Sequence, residues 1–205
     1  PNEYTFIVAS PFSWLEAAYR YTEIKNLKYG PFSYSGNQSL KDKGFDLKVK
    51  LLNESYYLPN VAIGIRDLAG TGIFSSEYIV ASKKFGDLDF SLGLGWGILA
   101  GDQNINNPFI NVSDNFKTRS STVGQGGSFN YSSWFSGKRA SVFGGIEYSL
   151  RRYGINLKLE YDTTNPDRGI SGNIPLEVKS RLNFGISRSL NNMLELGLGI
   201  ERGTE

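Results

Sequence analysis

The chain has no cysteine and no histidine among its 205 residues. Without thiols there is no disulfide framework, thiolate nucleophile or cysteine metal site. Without imidazole the Ser-His-Asp and Cys-His mechanisms and the usual zinc sites also fall away, because each needs that base or ligand. No cofactor is expected: the Gly-x-Gly pieces at Gly93 and Gly197 have no helix behind them to hold a dinucleotide. No stretch approaches the roughly 18 consecutive apolar residues of a membrane-spanning helix. A bilayer could therefore be crossed only by a closed barrel, since lipid leaves an unpaired sheet edge unsatisfied. There is also no block of one charge. The 22 Lys and Arg against 20 Asp and Glu leave a formal net charge of +2, spread as on a solvated mixed surface, so no nucleic-acid partner is expected. Beginning at Pro1 with no visible export signal, the chain reads as a mature or excised segment, and the missing signal says nothing about compartment.

What the sequence does have is alternation. From Asp87 to Gly97, Leu88, Phe90, Leu92, Leu94 and Trp96 share one phase, and Asp87, Asp89, Ser91, Gly93 and Gly95 share the other. Side chains of a strand point alternately to opposite faces, so one face is apolar and the other polar or bare. The same phasing recurs over Gly44 to Leu52, Ile155 to Asp162 and Met193 to Arg202. Strands of about ten residues with an aliphatic and aromatic outer face and a charged or glycine inner face suit an up-and-down antiparallel outer-membrane β-barrel. About nine to ten strands are expected over residues 1–205, as a single barrel domain or as a segment of a larger barrel. They run over Phe12 to Thr22, Gly44 to Leu52, Val61 to Leu68, Ile73 to Phe85, Asp87 to Gly97, Ala140 to Leu150, Ile155 to Asp162, Val178 to Ser189 and Met193 to Arg202, with Tyr4 to Ala9 as a further candidate.

Connections alternate in length: short over Asn53 to Asn60, at Gly86, and over Arg151 to Gly154 and Leu190 to Asn192; long over Glu23 to Lys43, Ile98 to Arg139 and Thr163 to Glu177. Outer-membrane barrels place short turns at the periplasmic end and long loops outside. Ala69 to Gly72 breaks the alternation, as either a tight loop or a bulge in one continuous strand. The connection around residues 98–139 carries Phe109, Phe116, Phe129, Tyr131, Trp134 and Phe135. A connection of that length is commonly functional or folded into a lumen.

Several pieces carry a family resemblance. Gly64 to Gly86, continuing through Gly93-Leu94-Gly95-Trp96-Gly97, resembles the YjbH family of exopolysaccharide-associated outer-membrane proteins. Glu16 to Thr22, Trp134-Phe135-Ser136-Gly137, Phe143 to Tyr148 and Leu159-Glu160-Tyr161-Asp162 are similar in the same order. The resemblance implies an outer-membrane barrel that takes part in making or exporting capsule or secreted polysaccharide, alongside other export components. It supplies no catalytic residue.

On the polar phases, Glu16, Arg20, Asp46, Lys48, Arg66, Glu77, Lys83, Asp89, Glu147, Lys158, Glu160 and Arg181 are expected to line a lumen, pairing across strands and contacting a hydroxyl-rich, partly anionic glycan. Arg20, Arg66, Glu77, Lys83, Glu147 and Arg181, with the loop aromatics Tyr131, Trp134 and Phe135, are the candidate glycan contacts. Trp14, Tyr19, Tyr21, Tyr78, Phe85, Trp96, Tyr148 and Tyr161 fit the aromatic girdles of a membrane interface. Asp162, Asn165 and Asp167 have cation-like spacing without the glycine and distal glutamate of a calcium loop, and favour an ordinary turn. The expected function is therefore a conduit or structural component of polysaccharide export in the bacterial outer membrane, with lipids and polysaccharide as partners and no enzymatic role. A soluble or periplasmic β-sandwich that binds carbohydrate is the alternative, and an outer-membrane glycan-cleaving enzyme using Asp87, Asp89, Glu147 or Glu160 is a further one.

Overall fold

The computed structural model describes residues 2–120, 129–165, 178–190 and 194–201. It is all-β. The strands are β1 (Asn2–Phe12), β2 (Leu15–Lys28), β3 (Ser39–Leu52), β4 (Asn60–Leu68), β5 (Ser76–Phe85), β6 (Leu88–Gly95), β7 (Ile105–Asn106), β8 (Arg139–Leu150), β9 (Ile155–Tyr161), β10 (Leu182–Ser189) and β11 (Glu195–Ile200). Apart from the two-residue β7, which pairs with β8, they lie side by side in chain order as an antiparallel meander.

Register carries each phase across the whole sheet. Leu15, Val49, Ile63, Ile79, Leu94 and Val142 form one apolar row through successive pairings. Phe90, Ile146, Leu159, Phe184 and Ile200 form another. A polar row runs through Glu16, Lys48, Gly64, Tyr78, Gly95 and Ser141, and a second through Asp89, Glu147, Lys158, Gly185 and Gly199. A one-residue slip would exchange the faces, so the alternation in the sequence fixes the pairing. At the β5–β6 turn Gly86 takes φ 63° with open space around it, the left-handed geometry of a tight hairpin that glycine adopts without a Cβ penalty.

The strand expected over Phe12 to Thr22 is β2 from Leu15 on, and its first residues are the turn between β1 and β2. Phe12 pairs with Leu15 across Ser13-Trp14, and the Phe12 and Trp14 rings stack with centroids 5.4 Å apart. Ala69 to Gly72 belongs to a genuine reversal, because β4 and β5 pair antiparallel on either side of it. The connection expected from Glu23 to Lys43 is mostly strand; only a short stretch containing one helical turn, Phe32–Ser35, separates β2 from β3. The stretch after β6 is ordered into 3-10 turns at Gly97–Ala100, Pro108–Asn111, Asp114–Lys117 and Tyr131–Ser133. Most of the expected Thr163 to Glu177 connection lies outside the described residues.

Burial is inverted relative to a soluble domain. The apolar face stands open: Leu92 is 64% exposed, Phe184 55% and Leu198 80%. No second layer of strands or helices covers it among the described residues. The small hydrophobic core of Ile24, Ile73, Phe74 and Ile98 sits instead at the long-loop end, where residues 70–75 and 97–100 fold against the strand ends. Ile24 is in phase with Arg20 and Thr22 on the polar face. Thus two connections turn inward over the polar wall.

Candidate functional site: the polar wall and its cap

Arg20 is the hub of the inward fold. Its Nη2 lies 3.7 Å from Asp42, 3.9 Å from Asp46 and 3.9 Å from Asp67, and its guanidinium stands 5.0 Å from the centroid of the Phe74 ring. Asp67 accepts from the Phe74 amide at 3.1 Å and its own amide donates to Asp46 at 3.0 Å. Thr71 donates to Asp42. The geometry is demanding: Asp67 takes φ 62° and Ala69 φ 54°, and a side chain on Gly44 or Gly70 would collide with the Asp67 carboxylate. Three carboxylates held around one buried guanidinium place the 70–75 connection. Arg20 therefore serves structure, and its side chain is only 17% exposed.

A second assembly covers Glu77 and Trp96. Glu77 is fully buried and receives both arms of Arg119, Nη1 to Oε2 at 2.7 Å and Nη2 to Oε1 at 2.9 Å; the Phe135 amide adds a bond at 2.9 Å. Bidentate, charge-assisted bonds of this kind are the strong ones, and they meet the cost of burying the carboxylate. Trp96, also fully buried, stacks on Phe109 at 5.4 Å and meets Phe135 edge-on at 5.2 Å. Asn107 staples the segment by donating to the carbonyls of Phe135 and Gly137, both at 2.9 Å. Gly97, at φ 65°, passes so close to the Ser75 carbonyl that no side chain fits.

A third set of contacts ties the turn at Gly97–Ala100 to the start of the β9–β10 connection. Thr163 donates to the Leu99 carbonyl at 2.7 Å, the Asn165 amide to Ile98 at 2.8 Å, and the Gly101 amide to Thr163 at 3.0 Å. Arg181 bridges the same place, 2.8 Å from both Asp102 and the Thr164 carbonyl. Asp162 accepts from the Thr164 amide and hydroxyl, an Asx-type turn; Asp167 lies outside the described residues.

The candidate residues thus separate. Arg66 and Glu147 lie on the polar face as expected, Glu147 being 3.6 Å from Lys158. Glu77 and Lys83 do not: both fall in the phase of Ile79 and Leu94. Glu77 is sealed under the cap, and Lys83 reaches the short-turn end, where it bonds the Ser55 carbonyl and lies 3.5 Å from Glu54. The error came from reading charge as phase; at strand ends a charged residue can share the apolar phase beyond the apolar band. Tyr78 and Trp96 also leave the girdle set, Tyr78 for the polar face and Trp96 for the cap interior. Of the loop aromatics, Tyr131 is 76% exposed while Trp134 and Phe135 are half-buried. Arg119, Asn107, Asp42, Asp67 and Asp102 were not singled out by pattern, since each acts through a partner distant in the chain.

Beside Leu99 the polar wall forms a cavity of about 430 Å3, lined among others by Arg66, Tyr78, Phe143, Glu160 and Asn183 from strands as far apart as β4 and β10, and by Glu201 just after β11. The sheet curls toward its polar face here. Among the described residues no group of acidic side chains is arranged to hold a metal ion.

An antiparallel meander with a continuous polar face, a bare apolar face and a folded cap at one end defines the class as all-β, built on one sheet among the described residues. The chain belongs to the YjbH family, described as exopolysaccharide biosynthesis protein, whose sequence profile matches residues 1–205. It is 43% identical over 205 residues to a protein of Escherichia coli (strain K12) named "Uncharacterized lipoprotein YjbH". The alignment takes in 98% of this chain but 29% of that relative's length. No solved structure matches it.

Proposed function

We propose that this chain forms part of the wall of an outer-membrane β-barrel that serves exopolysaccharide export, as a conduit or structural component, together with other export proteins. The observation that carries the reading is the open apolar face, which runs across the whole meander while charge and glycine occupy the other face. In water so large an apolar surface would be a liability; in lipid it is the required exterior. A carbohydrate-binding sandwich is disfavoured by the same observation, because a sandwich needs a second sheet over this face. The reading is non-enzymatic: Glu160 accepts from Asn183 at 3.2 Å, Glu147 lies 3.6 Å from Lys158 and Asp87 2.7 Å from Arg151, partnerships that suit a wall whose charges pair with one another. Glycan contact falls to Arg66 and Glu147 on the wall and to Tyr131 and Trp134 on the cap.

The test is reconstitution of the full-length protein in liposomes. Brominated lipids should quench a fluorophore placed at Leu198 and spare one at Glu195. Equal quenching at both positions, or a protein that stays soluble without detergent, would sink the proposal.

A further inference from the structure

We propose that the cavity between the β1–β2 turn and the polar face of β3 to β5 is a subsite for an acidic sugar, held by Lys50 and Lys48 beside Trp14. Its place inside a pore rests on the barrel reading above; its chemistry comes from the cavity alone.

The cavity lies toward the short-turn end. The Lys50 amide donates to the Trp14 carbonyl at 2.8 Å, which ties the Ser13-Trp14 turn to β3, and the Trp14 ring stacks on Phe12 with an interplanar angle of 5°. Beside this turn the wall forms a hollow of about 300 Å3, at the lower end of the range of about 300–1,000 Å3 usual for small-ligand sites. Ala62 and Val80, register partners on β4 and β5, line it with small side chains. Asn60 and Ser82 bring an amide and a hydroxyl to the same hollow, and the Ser82 hydroxyl is bonded to that of Ser91 at 2.7 Å.

Charge is not balanced there. Lys48 has Glu16 opposite it on β2. Lys50 instead has Ala62 across from it on β4 and the Trp14 carbonyl on its other side, so no carboxylate faces it from either neighbour. Elsewhere on the wall Lys158 lies 3.6 Å from Glu147 and Arg181 2.8 Å from Asp102; among the described residues neither Lys48 nor Lys50 has such an ion pair. The lining thus holds two ammoniums against one carboxylate, and both lysines are half-buried. A lysine ammonium is a compact point charge with three donors and no acceptor, so the surplus one calls for an anion. An indole beside it suits the C–H face of a sugar ring, as it suits other flat apolar ligands. Surplus ammonium, aromatic ring and neutral hydrogen-bonding groups together match the carboxylate, C–H face and hydroxyls of a uronate. An amino sugar meets like charge instead.

The experiment is calorimetric titration of the full-length protein in detergent micelles with hexamers of galacturonic acid, glucose and glucosamine. Galacturonate should bind on the order of tenfold more tightly than glucose, and glucosamine most weakly. Lys50→Gln should remove most of that preference, and Lys48→Gln added to it the rest, with heat-modifiable gel mobility unchanged because both positions lie on the polar face. Trp14→Leu should weaken galacturonate and glucose alike. Galacturonate no tighter than glucose, or a preference that survives the double lysine change, would overturn the subsite. So would displacement of the hexamer by an equal concentration of inorganic phosphate, which would mark a site for a bare anion. Brominated-lipid quenching at Leu198 is read on the same protein in liposomes. Uronate binding without quenching would remove the barrel reading and leave the subsite; quenching without uronate binding would do the reverse.

Discussion

Arg119 reaches across from the segment after β6 to clasp Glu77 at the start of β5, with two nitrogen–oxygen distances of 2.7 and 2.9 Å and the carboxylate sealed from solvent. Removing one partner leaves the other charge stranded, which in buried pairs costs about 3–5 kcal/mol. Arg119→Ala should therefore loosen the cap, read as faster hydrogen exchange at the Phe135 amide and easier proteolysis within residues 107–137. The double change Glu77→Leu with Arg119→Met should cost far less. Equal damage from single and double changes would mean that the pair does not hold the cap.

The open face makes a position-specific prediction. Arginine at Leu92, Leu157 or Leu198 should oppose membrane assembly by about 2–4 kcal/mol each near the bilayer midplane, while arginine at Glu195, in the opposite phase, should be tolerated. Retention of heat-modifiable gel mobility by all four variants would contradict the lipid assignment.

Sidedness follows from which connections share an end of the meander. A cysteine at Asn37 or Val112 should react with an impermeant maleimide in intact cells, and one at Tyr153, at the short-turn end, should react only after lysis. Labelling of all three in intact cells would break the topology.

Replacing residues 107–137 by a short Gly-Ser linker removes Arg119 and the ring partners of Trp96 together. The shortened chain should still assemble, because loop-closure entropy changes slowly with length, but with Glu77 left buried and unpaired it should unfold at lower denaturant. Adding Glu77→Leu should recover much of that loss. Polymer release and ion conductance measured on this repaired form then report the cap's part in gating; values equal to the parent would make the cap passive.

The sheet was legible in the sequence because its two solvents differ: each strand must be apolar every second residue, and this period survives in the letters from Leu88 to Trp96 and from Leu194 to Ile200. The ends of strands were less so. β2 and β3 extend to Lys28 and back to Ser39, where Glu23, Lys25 and Lys41 fall in the phase that is apolar mid-strand and the buried Ile24 falls in the polar phase, so the alternation no longer separates apolar from polar. The cap was visible only as an excess of aromatics. Its organisation depends on Glu77 and Arg119, and on Asn107 with Phe135, pairs whose separation in sequence leaves no periodic trace. Arg66 and Glu147 were placed on the correct face because they lie within the alternating stretch, whereas Glu77 and Lys83 sit near its limits.

The order of strands in the meander has a kinetic corollary. Every strand from β1 to β6 meets its partner through a nearby turn, as do β8 with β9 and β10 with β11, so each of these blocks can zip up hairpin by hairpin with little chain to close. β6 and β8 must instead find each other across residues 96–138, and β9 and β10 across residues 162–181. The expected folding sequence is three independently formed hairpin blocks joined at these two seams, with the β6–β8 amides, across the longer connection, gaining exchange protection last in a pulse-labelling experiment. Protection at Leu94 and Val142 that arose together with that at Ile63 and Ile79 would show instead that the sheet forms in one concerted step.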